Sequence, residues 1–121
     1  MPKNSRRFPH HHLLAYQLAV QFHRFVVSLR RSMRAGLGDL YDQLKRASTS
    51  ACLNLAEGAS AWEPGNKRRY FRASLASMGE SAAALELIAI ELVLDGEGLE
   101  EAIEALSGAR DLTSGLLRKV L

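Results

Sequence analysis

Leu14, Leu18, Phe22, Phe25, Val26 and Leu29 recur with a period near 3.6, the spacing that lines one face of a helix. The pattern predicts a first helix over residues about 10–32. Ala35-Gly36-Leu37-Gly38 should end it, because glycine supplies the backbone freedom a turn needs. A second helix is expected from about Asp39 to Ala59, closed by Gly58 and the stretch 60–65. Pro64 fits that stop, or the first turn of the next helix, where its missing N–H costs little. The third and longest helix should run from about Asn66 to Leu94, with Phe71, Leu75, Met78, Ala82, Leu85, Ala89 and Leu92 on one face. Asp95-Gly96-Glu97-Gly98 is a short turn. A fourth helix over about Leu99 to Val120 has its acids early and its bases late, the polarity that suits a helix dipole. No segment shows convincing strand alternation. Four amphipathic helices with short connections predict an all-α, antiparallel up-down-up-down four-helix bundle over residues 13–121. Residues 1–12 are polar and basic with two prolines, and we expect a loose arm.

The second helix carries a further pattern. Gln43, Arg46, Ser50, Asn54 and Glu57 fall within a sector of roughly 80° on a helical wheel. Leu40, Leu44, Ala47, Ala51 and Leu55 occupy the adjoining sector. An ordered polar row beside an apolar one suggests partial burial against a neighbouring helix, where each group must find a partner. Ser74, Ser77, Glu80 and Ser81 of the third helix are the candidates. We expect Arg46 to pair with Glu80, since an arginine facing the core needs a carboxylate to offset its desolvation. The row then sets helix register. The competing reading makes Glu57 and Glu80 a pair of catalytic or ligand-binding carboxylates. A di-metal bundle would place a histidine three residues after each, and neither has one.

Composition adds bounds. A hydrophobic fraction of 47% and a charged fraction of 24% suit a soluble globular domain. The single cysteine rules out an internal disulfide and favours a reducing compartment. No apolar run approaches the ~20 residues of a membrane span. A cytoplasmic protein that does not engage a membrane is expected. The net charge of +3 hides an asymmetry: residues 1–72 hold 13 Lys or Arg against 4 Asp or Glu, or +9, and residues 73–121 hold 3 against 9, or −6. Such a split favours contact with a polyanion or contact between copies of the chain.

Candidate chemistry is sparse. His10, His11 and His12 in an arm cannot easily converge with His23 on a metal, so neither metal nor cofactor is expected. Cys52 reads as a packing or surface residue, without an acid–base partner nearby. Trp62, next to Pro64, is expected to cover an end of the bundle, with base stacking as the alternative. Phosphate-cradling glycine loops, zinc-knuckle spacings and nucleophile elbows do not occur, and no enzymatic activity is expected.

Gln43-Leu-x-Arg46-Ala47-x-x-Ser50 followed by Asn54-Leu-Ala56-Glu57-Gly58 resembles the signature of small bacterial four-helix-bundle proteins encoded in intervening sequences of large-subunit ribosomal RNA genes. Leu13-x-Ala15-Tyr16-Gln17-x-Ala19, Tyr70-Phe71 and Ser77-x-x-Glu80 match other parts of that pattern. The resemblance covers about residues 13–94. Ala51 and Cys52 stand where the family usually has Ile-Pro, so a proline kink is absent, and Ala76-Ser77 replaces a common Gly-Ser. The resemblance implies a ring-shaped homopentamer without catalytic activity. A similar fold and ring occur in the accessory variability determinant of diversity-generating retroelements, which implies RNA or DNA contact and a protein partner such as a reverse transcriptase.

Two basic constellations stand out in that light. Arg30, Arg31 and Arg34 close the first helix. Lys67, Arg68, Arg69 and Arg72 open the third, at the opposite end and near the arm with Lys3, Arg6 and Arg7. A ring would multiply each patch into useful avidity for phosphates. The same cations could instead meet the acidic third and fourth helices of a neighbouring copy.

Overall fold

The computed structural model describes residues 7–94 and 97–120. Expectations on Lys3, Arg6 and the Asp95-Gly96 turn lie outside the described residues. Four helices account for most of the rest: α1 (Leu14–Ser28), α2 (Gly38–Ser60), α3 (Pro64–Glu91) and α4 (Glu97–Val120). Each packs along its sequence neighbours, and α4 closes the circuit against α1. The result is the antiparallel four-helix bundle that the periodicity predicts.

Ala15, Ala19, Phe22 and Val26 of α1 and Leu44, Ala47, Ala51 and Leu55 of α2 are buried at helical spacing. Phe71, Met78, Leu85 and Ile88 of α3 and Ala102, Ala105, Leu106 and Ala109 of α4 complete the core. Gly36, at φ 95°, adopts the left-handed conformation that ends the α1–α2 connection. Pro64 takes the first position of α3, the second of its two expected placements.

Helix α1 is shorter than its pattern suggested. Leu29–Ser32 tightens into a 3-10 turn, and Leu13 is extended, separating α1 from a second 3-10 turn at Pro9–His12. That second turn corrects the expectation of a loose arm over its described part. His11 is buried, its Nδ1 accepts the backbone N–H groups of Arg7 (3.1 Å) and Phe8 (3.3 Å), and its carbonyl accepts Gln17 Nε2 (3.1 Å).

The α2–α3 pairing is the most extensive in the bundle. Its seam carries small buried residues, Ala47, Ala51 and Gly58 from α2 and Ser74 and Ser81 from α3. Two buried hydroxyls find carbonyl acceptors: Ser74 Oγ donates to Ala51 O across the seam and Ser81 Oγ to Ser77 O, both at 2.8 Å.

Helix α3 is long and apolar enough, by length and composition only, to cross a membrane, with a mean hydropathy of 1.3 over its most apolar stretch and 33% of that stretch buried in the bundle. Glutamates break its apolar runs, so no long run stands out in the sequence, but its alanines keep the average high. Its outward face carries apolar side chains toward the C-terminal end: Ala83, Leu87 and Ile90 are exposed, Ile90 to 78%.

Candidate nucleic-acid interface

The polar row on α2 divides in two. Its middle is hydrogen-bonded and half-buried: Ser50 Oγ accepts from Ser77 Oγ (2.8 Å) and from Asn54 Nδ2 (3.1 Å), which also donates to Ser50 O (2.9 Å). Its ends are not buried. Gln43, Arg46, Glu57 and the facing Glu80 are exposed, and among the described residues no ion pair joins Arg46 to Glu80. The expected charged seam is therefore a hydroxyl and amide seam. The physical reason is space. Small residues bring α2 and α3 together too closely to enclose a guanidinium, and arginine avoids desolvation by staying outside. Arg46 lines an open groove beside Lys45, Thr49, Leu53 and Asn54. Glu57 and Glu80, both in water, do not form the enclosed carboxylate pair of the competing reading.

The basic residues also separate by role. Lys67 is half-buried, and its Nζ donates to the carbonyls of Gly58 (2.6 Å) and Ala59 (3.2 Å), closing the C-terminal end of α2. Arg68 Nη1 donates to Val120 O (3.1 Å) at the C-terminal end of α4. Helix C-termini leave carbonyls without intrahelical partners and carry partial negative charge, so they draw the nearest cations. These two side chains hold the bundle's end together, a correction to the expectation that they are free to meet phosphates. Arg69 lies over the Tyr70 ring, 5.0 Å from its centroid, with Nη2 on the hydroxyl at 3.2 Å, and remains exposed. Arg72 is exposed one turn further on, and Arg7 is exposed near the start of α1.

Arg30, Arg31 and Arg34 are exposed at the other end of the bundle. The 28 residues of α3 span roughly 42 Å, many times a Debye length of ~8 Å, so the two groups act as separate surfaces. The two ends differ in their surroundings. Arg30, Arg31 and Arg34 share theirs with exposed acids at the start of α2 and α4 and the end of α3: Asp39, Asp42, Glu91, Glu100 and Glu101. Arg69 and Arg72 share theirs with the exposed Arg118 and Lys119 in the last turn of α4, and with two exposed acids, Glu57 and Glu63, at the α2–α3 turn. Sequence pattern alone gives those last two only the role of balancing their own helix dipole. The antiparallel topology, which brings the end of α4 beside the start of α3, is the signal for including them.

Other candidates resolve as structural. His23 Nδ1 and Ser48 Oγ lie 2.7 Å apart and tie α1 to α2, with Ser48 buried and also donating to Lys45 O at 3.2 Å. Burial, helped by Lys45, pushes the His23 pKa below its usual 6.5. Cys52 is buried, and that burial raises its thiol pKa to about 11, which leaves it a poor nucleophile. No cluster of metal-ligating side chains occurs among the described residues. Trp62 does not cover the bundle end, being 93% exposed in the α2–α3 turn.

Fold and surface together describe a compact helical bundle with one strongly basic end and an apolar flank. A family model described as 23S rRNA-intervening sequence protein matches residues 11–115, which takes in α1, α2, α3 and all but the last five residues of α4. The chain belongs to that family. No curated protein and no solved structure matches it.

Proposed function

We propose that the protein is a non-enzymatic, self-assembling bundle that acts in the cytoplasm as an accessory or scaffold on RNA or DNA. It contacts phosphates chiefly through its basic end. The observation that carries this reading is how little the chain uses its own charges. Between described residues an ion pair joins Arg110 and Asp111, at 3.8 Å and exposed on both sides, and none engages Arg69, Arg72, Arg118 or Lys119. Arg69, Arg72, Arg118 and Lys119 are gathered at one end and face outward, as a surface for a polyanion requires. The family's description, with its 23S rRNA, makes RNA the first probe to try.

Assembly, as a homopentamer in the resemblance, is supported by the exposed Leu87 and Ile90 on the outward face of α3. In the second reading the protein is a structural oligomer without a nucleic-acid role. The acids at one end of the bundle support it, because they could receive a neighbour's basic end. A protein partner such as a reverse transcriptase is compatible with either.

Fluorescence anisotropy with labelled RNA and single-stranded DNA across a salt series tests the proposal. Binding should weaken steeply with salt, and an Arg69→Glu, Arg72→Glu variant that still assembles should lose it. No binding at low salt leaves the structural oligomer.

A further inference from the structure

The α2–α3 turn puts the chain's one tryptophan where a folded protein has no use for it. Trp62 is the most exposed large apolar side chain described. Its position is set by stiff backbone. Ala61 and Glu63 are extended, and Pro64 disfavours the helical conformation at Glu63. The indole thus stands out from the bundle end on a short, rigid link. It borders a notch of about 290 Å³ shared with Glu57, Glu63, Asn66 and Tyr70. That volume lies at the small end of ligand sites, ~300–1,000 Å³, and suits one planar ring system better than a larger molecule.

We infer that this notch takes a single unpaired nucleobase, stacked on Trp62, and prefers bases that carry an exocyclic amino group. The inference rests on the nucleic-acid reading above and narrows it to single-stranded or bulged segments. Three features of the site support it. An exposed aromatic face beside cations is the standing arrangement for gripping unpaired strands, because every base offers a π-face. Arg69, held 5.0 Å from the centroid of the Tyr70 ring that lines the notch, is the cation a phosphate beside a bound base would meet. The notch itself is lined by two carboxylates, which accept hydrogen bonds and repel phosphate. They fit the amino edges of cytosine, adenine and guanine, whereas the carbonyl-rich edge of uracil meets them with like polarity.

Because Trp62 is the chain's sole tryptophan, its emission reports on the notch directly. The full-length protein is titrated at low salt with oligo(rC), oligo(rU) and a duplex RNA, reading tryptophan emission and the anisotropy of the labelled RNA together. Oligo(rC) and oligo(rU) differ in self-stacking as well as in edge chemistry, so the edge contacts are read from how the difference between them changes when the two carboxylates are removed. Oligo(rC) should quench Trp62 and bind more tightly than oligo(rU), and duplex should bind without quenching. Trp62→Leu should cost about tenfold in affinity for oligo(rC) and little for duplex. A Glu57→Gln, Glu63→Gln variant should narrow the preference for oligo(rC) over oligo(rU), and an unchanged preference overturns the edge contacts. Oligo(rC) binding without quenching overturns the inference and leaves the nucleic-acid reading standing, while no binding by any RNA or DNA removes both. Emission that shifts to the blue as the protein is concentrated without RNA would show Trp62 covered by another copy, which also overturns it.

Discussion

A Cβ atom built on Gly58 would sit 2.5 Å from Cε1 of Phe71, closer than side chains ever approach. Both residues are buried, so the ring cannot swing into solvent. The glycine that closes the Asn-x-Ala-Glu-Gly run is therefore present to admit the ring, and it lets α2 and α3 approach at the end that also carries Lys67. Gly58→Ala should destabilise the bundle by about 1–3 kcal/mol, despite alanine's better helix propensity. Urea denaturation of Gly58→Ala with and without Phe71→Leu checks this. The smaller side chain should recover part of the loss, and equal, additive losses would show that the two sites do not meet.

Lys67 and Arg72 are both cations near the start of α3, and they should respond oppositely to removal. Lys67→Ala deprives the carbonyls of Gly58 and Ala59 of their donor and should lower stability by about 1 kcal/mol. Arg72→Ala is a surface change and should stay within about 0.5 kcal/mol. In RNA binding the order should reverse, with Arg72→Ala reducing the salt slope by about one unit, the share of a single neutralised phosphate. Paired denaturation and salt-titration series make the comparison. A Lys67→Ala variant of undiminished stability would return that side chain to the binding surface.

The bundle itself was legible in the sequence because its four apolar faces repeat cleanly and glycines punctuate two of the three connections. The polar row was legible only in part. A helical wheel assigns Arg46 and Ser50 to the same sector, but it does not give the distance to the neighbouring helix. That distance follows from Ala47, Ala51, Gly58 and Ser74, and it decides that a hydroxyl enters the seam while a guanidinium stays outside. Lys67, Arg68 and Arg69 look equivalent in the sequence for a related reason. Their separate roles depend on which helix ends lie beside them, and that is a property of the packed topology. For Trp62, proximity to a proline suggests a cap, whereas the extended backbone on either side turns the ring outward.

His23 gives stability a pH dependence of definite sign. Burial and the nearby Lys45 lower its pKa in the folded state from 6.5, so the unfolded chain binds a proton more readily. His10 is lowered as well, by burial and His11. The contribution is complete above the unfolded value. It is lost as pH falls through 6.5 toward the folded pKa, and it is constant below that. Urea midpoints measured from pH 8 down to pH 5 should therefore fall below about pH 6.5. His23→Gln, which cannot titrate, should flatten part of the decline while lowering the plateau by removing the 2.7 Å bond to Ser48. A His23→Gln profile parallel to that of the parent would assign the pH dependence elsewhere.

Ile90 and Leu87 offer the clearest handle on assembly. They lie about one turn apart on the outward side of α3, exposed to 78% and 52%. Adjacent exposed aliphatics of this size are tolerated singly on a monomer, but together with Ala83 they form the kind of continuous strip that a second copy buries. Leu87→Glu with Ile90→Glu leaves the core intact, so the fold should persist with unchanged helicity. Desolvating two carboxylates at an interface is costly, so the proposed assembly predicts an oligomeric parent and a monomeric double variant in light scattering. The same variant should bind RNA more weakly than the parent, because the proposed assembly links several basic ends and so gains avidity that a single copy lacks. An assembled double variant would move the interface to another face, with the open groove beside Arg46 and Leu53 on α2 the next to test.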